Sequence, residues 1–199
     1  KSQMNTLKAE RRHLSTKAKQ LRREGFVTGN VFGKNMPESI PVRILKTDAE
    51  RLLKTCSKGS RITLNLDNES YPVLVKEIDY NPVKGRIDEI DFQVLVNGEM
   101  IHSTAEIILL NHEKVSVGLV EQLLHEISYK ATPANLVDEI KVDVGDMKLG
   151  DTIKVSDLDI AKNKNIHLIT SADSMVAVVA EVHNTPVPET DAEAEGTEA

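Results

Sequence analysis

Three strand patterns follow one another in RITLNLDNESYPVLVKEIDYNPVKGRIDEIDFQVLV, residues 61–96, and this stretch decides the fold class. Apolar and polar residues alternate over 61–66, a denser apolar run fills 71–78, and a third pattern follows over 86–96. Turn-forming pairs stand between these segments: Asp67-Asn68, Asn81-Pro82 and Lys84-Gly85. The stretch therefore predicts three consecutive strands joined by turns.

The chain before this stretch adds strands and about two helices. Ser15 or Thr16 is a suitable cap for a short helix that has Leu21 on its apolar face and stops at Gly25. Further elements are predicted in order: a strand bracketed by turns over 25–34, a strand over 40–46, and a helix over 47–56 with a Thr47–Glu50 capping box. These elements predict a β-rich first domain over 1–97.

The residues that follow predict a second, mostly-β domain over 98–184, because short strand patterns recur between turns. The candidate strands are 100–110, 125–131, 139–144, 153–155 and 175–182. Helical periodicity is weak, with short possibilities only at 117–124 and at the capping-like 156–158. Residues 185–199 contain five acids, no bases and almost nothing to bury, so we expect a disordered acidic tail. The overall prediction is a mainly-β chain with a few short helices, of the α+β class.

Charge is distributed very unevenly along the chain, although the net charge is only −6. Residues 1–61 hold fifteen Lys and Arg against five Asp and Glu, whereas residues 62–199 hold ten against twenty-six. Such asymmetry indicates that the basic end meets a polyanion, the alternative being a solvated basic face without a partner. Aromatic residues make up 3% of the chain, so a nucleic-acid contact would depend on charge more than on base stacking.

Composition also limits the cellular setting that we expect. Cys56 is the single cysteine, so the chain has no internal disulfide, which suits a reducing cytosol. We interpret Cys56 as a small core residue. The first residues lack a secretory signal, and the apolar run 175–180 is too short to span a bilayer. We therefore expect a soluble cytoplasmic protein that does not enter a membrane.

No catalytic or metal-binding pattern emerges from the sequence. His125-Glu126 opens like a zinc-protease helix, but Tyr129 stands where the second histidine belongs. The segment 29–34 is one residue short of a phosphate-binding loop, and the six histidines show no metal-ligand spacing. We expect no enzyme activity, no cofactor and no small-molecule substrate, with a hydrolase as a remote alternative.

Three segments, in the same order, resemble the bacterial ribosomal protein family that binds 5S rRNA. Residues 17–34 are similar to its basic Leu-Arg-Arg run and the strand that follows, and 73–95 to its Lys strand, Pro turn and Asp-Phe strand. Residues 131–158 resemble the second domain of its long members, the general stress protein type, which also have acidic tails. The resemblance extends over about residues 5–183.

The resemblance implies a β-barrel-like first domain that docks on 5S rRNA in the large ribosomal subunit. Arg22 and Arg23 match the family's Arg pair, and Asp91 matches its His-x-Asp-Phe motif. The implied RNA-binding residues are Arg12, Lys17, Lys19, Arg22, Arg23, Phe32, Gly33, Lys34 and Asp91. The cations would neutralise phosphates, Gly33 would let the main chain approach the RNA, and Asp91 would accept hydrogen bonds from base amino groups.

Several positions depart from the family pattern and leave a second hypothesis open. Glu89 replaces the family's His, Phe32 lacks the Tyr hydroxyl, and Thr28 replaces a usual Pro. Glu121-Gln122 stands in the second domain where the family has Gly-Gly. The alternative is therefore a divergent, stress-related interaction protein with weakened or lost rRNA binding. In the leading hypothesis the acidic second domain contacts a neighbouring ribosomal protein or fills a crevice near the RNA.

Overall fold

Two groups of strands make up the computed structural model of this chain, which describes residues 5–182. The first group forms a closed six-stranded barrel, and the second forms two small sheets. Three short α-helices lie between the strands of the described residues. The predicted mainly-β class, with a barrel-like domain before a mostly-β domain, is confirmed.

The barrel contains two parallel strand pairs that join distant parts of the chain. Its elements are β1 (Thr6–Arg11), α1 (Ala18–Arg23), β2 (Phe26–Phe32), β3 (Ile40–Leu45), α2 (Lys46–Leu52), β4 (Arg61–Leu66), β5 (Glu69–Asn81) and β6 (Arg86–Val94). Hydrogen bonding orders the strands β1-β3-β2-β6-β5-β4 and closes the barrel between β4 and β1. The pairs β1/β4 and β2/β6 are parallel, and the others are antiparallel.

The apolar interior of the barrel explains one glycine of β2. Val31 and Phe92, on neighbouring strands, are fully buried in this core, and half-buried Cys56 packs against it. A Cβ atom on Gly29 would lie 2.0 Å from the carbonyl oxygen of Ile90. Only glycine fits where β2 and β6 approach each other so closely.

Helix α1 begins without the side-chain cap that the sequence suggests. Lys17 occupies the cap position in an extended conformation with no side-chain hydrogen bond, so the predicted cap at Ser15 or Thr16 is wrong. The turn is held instead by the Arg12 guanidinium, whose Nη2 and Nε donate to the Thr16 carbonyl oxygen at 3.1 and 3.3 Å. Gly25, with a φ of 89°, follows the end of α1 as predicted.

Helix α2 also begins differently from the prediction. It starts directly after β3, with Leu45 at the cap position, so Thr47 lies inside the first turn and the Thr47–Glu50 capping box is wrong. Ala49 and Leu52 are buried against the barrel. The tertiary contact of this apolar face therefore decides the helix boundary more than the local cap does.

The second group of strands forms two sheets around a separate apolar core. Its elements are β7 (Ile101–Leu110), β8 (Leu119–Gln122), β9 (Glu126–Ala131), β10 (Glu139–Asp143), β11 (Thr152–Lys154), α3 (Asp159–Lys162), β12 (His167–Leu168) and β13 (Met175–Ala180). The sheet orders are β10-β7-β9-β12 and β11-β13-β8. The helical possibility at 117–124 is wrong, because 119–122 pairs with β13 as a strand. The two-residue strand β12 was not predicted.

A tight seam joins the barrel to the second group of strands. Gly59 has a φ of 93°, and a Cβ atom there would lie 2.0 Å from the carbonyl oxygen of Thr104 in β7. Two hydrogen bonds strengthen the seam: Ser60 Oγ to Asp138 Oδ2 at 3.2 Å, and Arg61 Nη1 to the Pro133 carbonyl oxygen at 2.7 Å. Contacts this close need a glycine and fix the second group of strands against the barrel wall.

The two apolar cores share no residue. One contains buried residues between Leu7 and Phe92, and the other contains buried residues between Ala105 and Ala177. The domain boundary between 97 and 98 stays a prediction. The predicted acidic tail, 185–199, lies outside the described residues.

Candidate nucleic-acid interface

Helix α1 presents exposed cations because its single buried side chain fixes its orientation on the barrel. Leu21 is almost completely buried and packs the helix against the barrel. Lys17, Lys19 and Arg23 are all exposed. A short helix held by one apolar contact therefore displays three positive charges to solvent.

Arg22 has a different environment from its neighbour Arg23. Its Nε donates to the Asp88 carbonyl oxygen at 3.1 Å, and its Nη2 donates to Thr28 Oγ1 at 3.2 Å. Its side chain is only 22% exposed, and its Nε lies 3.8 Å from an Asp88 carboxylate oxygen. Arg22 thus connects α1 to β2 and β6, and little of its guanidinium faces solvent.

Asp88 is the centre of the cluster that holds Arg22. It accepts hydrogen bonds from Arg86 Nε at 2.7 Å and from Asn81 Nδ2 at 3.3 Å. Desolvation raises the pKa of the Asp88 carboxyl, but these hydrogen bonds and the charges of Arg86 and Arg22 outweigh it and hold the pKa below its usual value. A carboxylate that stays ionised keeps Arg22 in place. Sequence patterns gave no indication of this cluster.

The remaining predicted residues near the end of β2 occupy mixed surroundings. Lys34 is exposed, whereas Phe32 and Gly33 are half-buried. A Cβ atom on Gly33 would lie 3.1 Å from Val94 Cβ, which is tighter than ordinary packing. The small size of Gly33 is thus explained by the neighbouring β6. Arg12, which holds the turn before α1, is also half-buried.

Asp91 is positioned by a residue that sequence reasoning missed, Asn30. The two residues face each other in the parallel register of β2 and β6. The Asn30 backbone N–H donates to Asp91 Oδ1 at 3.1 Å, and Asn30 Nδ2 donates to the same oxygen at 3.3 Å. Asn30 Nδ2 also donates to Glu89 Oε1 at 3.1 Å. The polar side chain of Asn30 inside a strand pattern could have indicated a functional position, but its partners follow only from the register of β2 and β6.

Strand β5 adds further carboxylates to the same outer face of the barrel. Glu77 is opposite Asp91, and Asp79 is opposite Glu89. Lys58 Nζ lies 3.4 Å from Glu77 and compensates one of these charges. Of the predicted site residues, Lys17, Lys19 and Arg23 therefore lie at a basic edge around α1, whereas Asp91 lies on an acidic face formed by β5 and β6.

Among residues 5–182, no three His, Cys, Asp or Glu side chains lie close enough together to hold a metal ion. No helix within that range is long and apolar enough to cross a membrane.

Known proteins resemble this chain along most of its length. The Ribosomal L25p family model matches residues 7–92, and the model of the ribosomal protein TL5 C-terminal domain matches residues 100–183. Together they cover both groups of strands.

Individual relatives have the same name across several bacteria. The large ribosomal subunit protein bL25 of Geobacillus thermodenitrificans is 30% identical over 143 residues, which cover 70% of this chain and 67% of the relative. The bL25 proteins of Finegoldia magna and Bacillus pumilus are each 28% identical, over 84% and 98% of this chain and 79% and 94% of their own lengths. The chain belongs to the bL25 family of large ribosomal subunit proteins, in the long form that includes a TL5-type C-terminal domain.

Proposed function

We propose that this chain is a non-catalytic component of the large ribosomal subunit that binds 5S rRNA through its barrel. The observation that supports this most directly is the fixed display of Lys17, Lys19 and Arg23 on α1. Positive charges held at constant spacing neutralise phosphates and release counterions, and this release supplies most of the affinity for a nucleic acid. Ribosome association would place the protein in the cytoplasm.

The predicted RNA-binding residues take three roles in this proposal. Exposed cations, including Lys34, contact phosphates, while Arg12 and Arg22 position α1 through their internal hydrogen bonds. Asp91 contacts bases, because the two Asn30 hydrogen bonds engage Oδ1 and leave Oδ2 to accept from a base amino group. Phosphate contacts thus give affinity, and the carboxylate gives sequence discrimination.

A salt series with purified full-length chain and in-vitro-transcribed 5S rRNA tests the proposal, with a tRNA of similar size as competitor. We expect tight binding that survives excess tRNA and weakens linearly on a log–log plot against salt. Asp91→Ala is expected to reduce the preference for 5S rRNA over tRNA while leaving the salt slope unchanged. Binding that tRNA removes completely would contradict the proposal and leave only a general polyanion surface.

The acidic strand face supports the second candidate, a divergent member with weakened rRNA binding. Four carboxylates, those of Glu77, Asp79, Glu89 and Asp91, lie on adjacent strands where phosphates would be repelled. Glu89→His discriminates between the two candidates, with Glu89→Gln as a control that removes the charge alone. A large gain in 5S rRNA affinity for the His variant would favour weakened binding in the parent, and unchanged affinity would favour the leading proposal.

A further inference from the structure

The turn between β5 and β6 has an exposed aromatic ring and an exposed apolar side chain. Tyr80, which precedes the turn, is 56% exposed, and Val83 within the turn is 92% exposed. Residues 82–85 are all exposed. We call Tyr80 together with residues 82–85 the hairpin tip. A single exposed apolar residue is ordinary, so a function for the hairpin tip depends on its rigidity, its position and its charge.

Asn81 holds the hairpin tip in one conformation. Its Oδ1 accepts a hydrogen bond from the Lys84 backbone N–H at 3.1 Å, which closes the turn, and its Nδ2 donates to Asp88 Oδ2 at 3.3 Å. The Tyr80 hydroxyl oxygen lies beside the same turn, 4.0 Å from where a Cβ atom on Gly85 would be. A tip that is already ordered loses little conformational freedom when it binds a partner.

The parallel pairing of β2 and β6 places the hairpin tip beside α1. Neighbouring parallel strands begin at the same end of a barrel, and here Thr28 is opposite Glu89. Strand β2 follows α1 after a short turn, whereas β6 follows the hairpin tip directly. Asp88 connects the two, because its carboxylate accepts from Asn81 and its carbonyl oxygen accepts from Arg22 of α1. The hairpin tip and the exposed cations of α1 therefore belong to one end of the barrel.

The strand register turns Tyr80 away from the acidic strand face. Tyr80 is opposite Ile87 in the β5/β6 pair, whereas Asp79 is opposite Glu89. Residues that are opposite each other share a face of a sheet, and Ile87 is buried on the core side. The Tyr80 ring is thus on the other side of the strands from the carboxylates that repel phosphates.

The charge around the hairpin tip favours a nucleic acid as its partner. Residues 80–87 contain two cations, Lys84 and Arg86, and no acid. Lys84 is exposed on the hairpin tip, and Arg23 is exposed on the neighbouring α1. An exposed ring beside exposed cations offers a stacking surface to a base and positive charge to its phosphate.

We propose that the hairpin tip is a second RNA contact beside α1, in which the Tyr80 ring stacks on an unpaired base. The Lys84 ammonium pairs with a phosphate next to that base, and Val83 contacts the same nucleotide. The base is one that has left the helical stack, because an aromatic ring reaches a base face only there. This inference rests on the proposed function and deepens it, since it names the class of nucleotide that the barrel contacts.

Site-specific cross-linking tests the partner directly. The full-length chain with Tyr80→p-benzoylphenylalanine is bound to in-vitro-transcribed 5S rRNA and irradiated, and the linked nucleotide is mapped by primer extension. We expect a cross-link to one or a few unpaired nucleotides. Ile169, which is 47% exposed in the second group of strands, receives the same substitution as a control and is expected to give no cross-link.

Three results of this experiment would overturn the inference. The first is a complex that forms but gives no cross-link from position 80. The second is a set of cross-links scattered over paired nucleotides. The third comes from large subunits that lack their own copy of the protein: a cross-link from position 80 to protein alone.

Affinity measurements with isolated 5S rRNA test the stacking contact. Tyr80→Ala is expected to weaken binding at least about fivefold, because it removes the stacking surface for one base. The salt slope is expected to stay unchanged, since no charge is lost. Tyr80→Phe keeps the ring and is expected to bind within about twofold of the parent, as is the control Ile169→Ala. Equal binding by the Ala and Phe variants would overturn the stacking contact.

The phosphate contact has its own test in the salt dependence. Lys84→Gln is expected to lower the log–log salt slope by about 0.7–0.9, which corresponds to one phosphate contact. Lys164→Gln, a change at an exposed lysine of the second group of strands, is expected to leave the slope as it is. An unchanged slope for Lys84→Gln would overturn the phosphate contact. Urea denaturation is expected to give every variant the unfolding midpoint of the parent, because these side chains are exposed.

The same titrations separate this inference from the proposed function. If the parent prefers 5S rRNA over tRNA but Tyr80→Ala and Lys84→Gln both bind as the parent does, the proposed function stands and the hairpin tip is wrong. If the parent binds 5S rRNA and tRNA equally and Tyr80→Ala weakens both, the hairpin tip stands as an RNA contact and the specific binding of 5S rRNA fails.

Discussion

Arg22 and Arg23 are adjacent in sequence, and substituting each with Gln is expected to affect different properties. Arg23 is exposed, so Arg23→Gln removes one cation available to phosphate. Losing one phosphate contact lowers the log–log salt slope by about 0.9, which is about 3.5-fold in affinity between 50 and 200 mM salt. The free energy of unfolding is expected to change by less than about 0.5 kcal/mol, as for other surface substitutions.

Arg22→Gln is expected to reduce stability instead. It removes the hydrogen bonds to the Asp88 carbonyl oxygen and to Thr28, and each hydrogen bond contributes about 0.5–1.5 kcal/mol net to the free energy of unfolding. Asp88 keeps Arg86 and Asn81 as partners, so its charge does not become unpaired. The net loss is therefore expected at about 1–3 kcal/mol, with RNA binding reduced through displacement of α1.

Two measurements on the same variants distinguish an effect on stability from an effect on RNA binding. Urea denaturation gives the free energy of unfolding, and 5S rRNA titrations at several salt concentrations give the slope. Arg22 would be a phosphate contact and not a positioning residue if Arg22→Gln left the free energy of unfolding unchanged and flattened the salt slope as much as Arg23→Gln does. Lys19→Gln serves as a matched control for an exposed cation on the same helix.

Three further substitutions test the seam, the second core and the Asp88 cluster. Gly59→Ala places a Cβ atom against Thr104 at a positive φ, so we expect the free energy of unfolding, measured by denaturation, to fall by at least about 2 kcal/mol. We also expect faster proteolysis between the two groups of strands, and a digestion pattern like that of the parent would contradict this. Tyr129→Phe removes a hydroxyl that donates to the Val137 carbonyl oxygen at 2.6 Å and accepts from the Val137 N–H at 2.7 Å. We expect the free energy of unfolding to fall by about 1–3 kcal/mol. A loss below about 0.5 kcal/mol would show that these bonds contribute little. Because the pKa of Asp88 is lower in the folded chain, its ionised carboxylate stabilises the fold at pH values above the ordinary aspartate pKa of about 3.9. This contribution is lost as the pH falls through the lower pKa of the folded state. Asp88→Asn is therefore expected to make the free energy of unfolding fall less steeply below about pH 4. The same steepness in the variant and the parent would show that the ionised Asp88 does not stabilise the fold.

Local sequence predicted most strands because their patterns need only neighbouring residues. The turn at Asp67-Asn68 is an example, since Asp67 adopts a φ of 56° that Asp tolerates. Barrel closure is different, because the parallel pairing of Thr6 with Thr63 joins segments that no local pattern connects. The resemblance, and not the periodicity, supplied the expectation of a barrel.

The candidate site was predictable as a set of charges but not as an arrangement. Exposed and internal cations look alike in sequence, and Arg22 faces inward only because Asp88, 66 residues away, accepts its hydrogen bonds. Asn30 was missed for the same reason, since its partner Asp91 lies 61 residues further along the chain. Contacts at this separation follow from strand register, which the sequence alone leaves open.

The division of the chain into a basic barrel and an acidic second group of strands gives the molecule a permanent electric dipole. Residues 1–97 hold eighteen Lys and Arg against twelve Asp and Glu, whereas residues 98–182 have the opposite excess. In the field of a polyanion such a molecule turns before contact, so that the basic end arrives first and reversed collisions are repelled. A larger share of encounters then leads to binding, and added salt lowers the association rate constant more than it raises the dissociation rate constant.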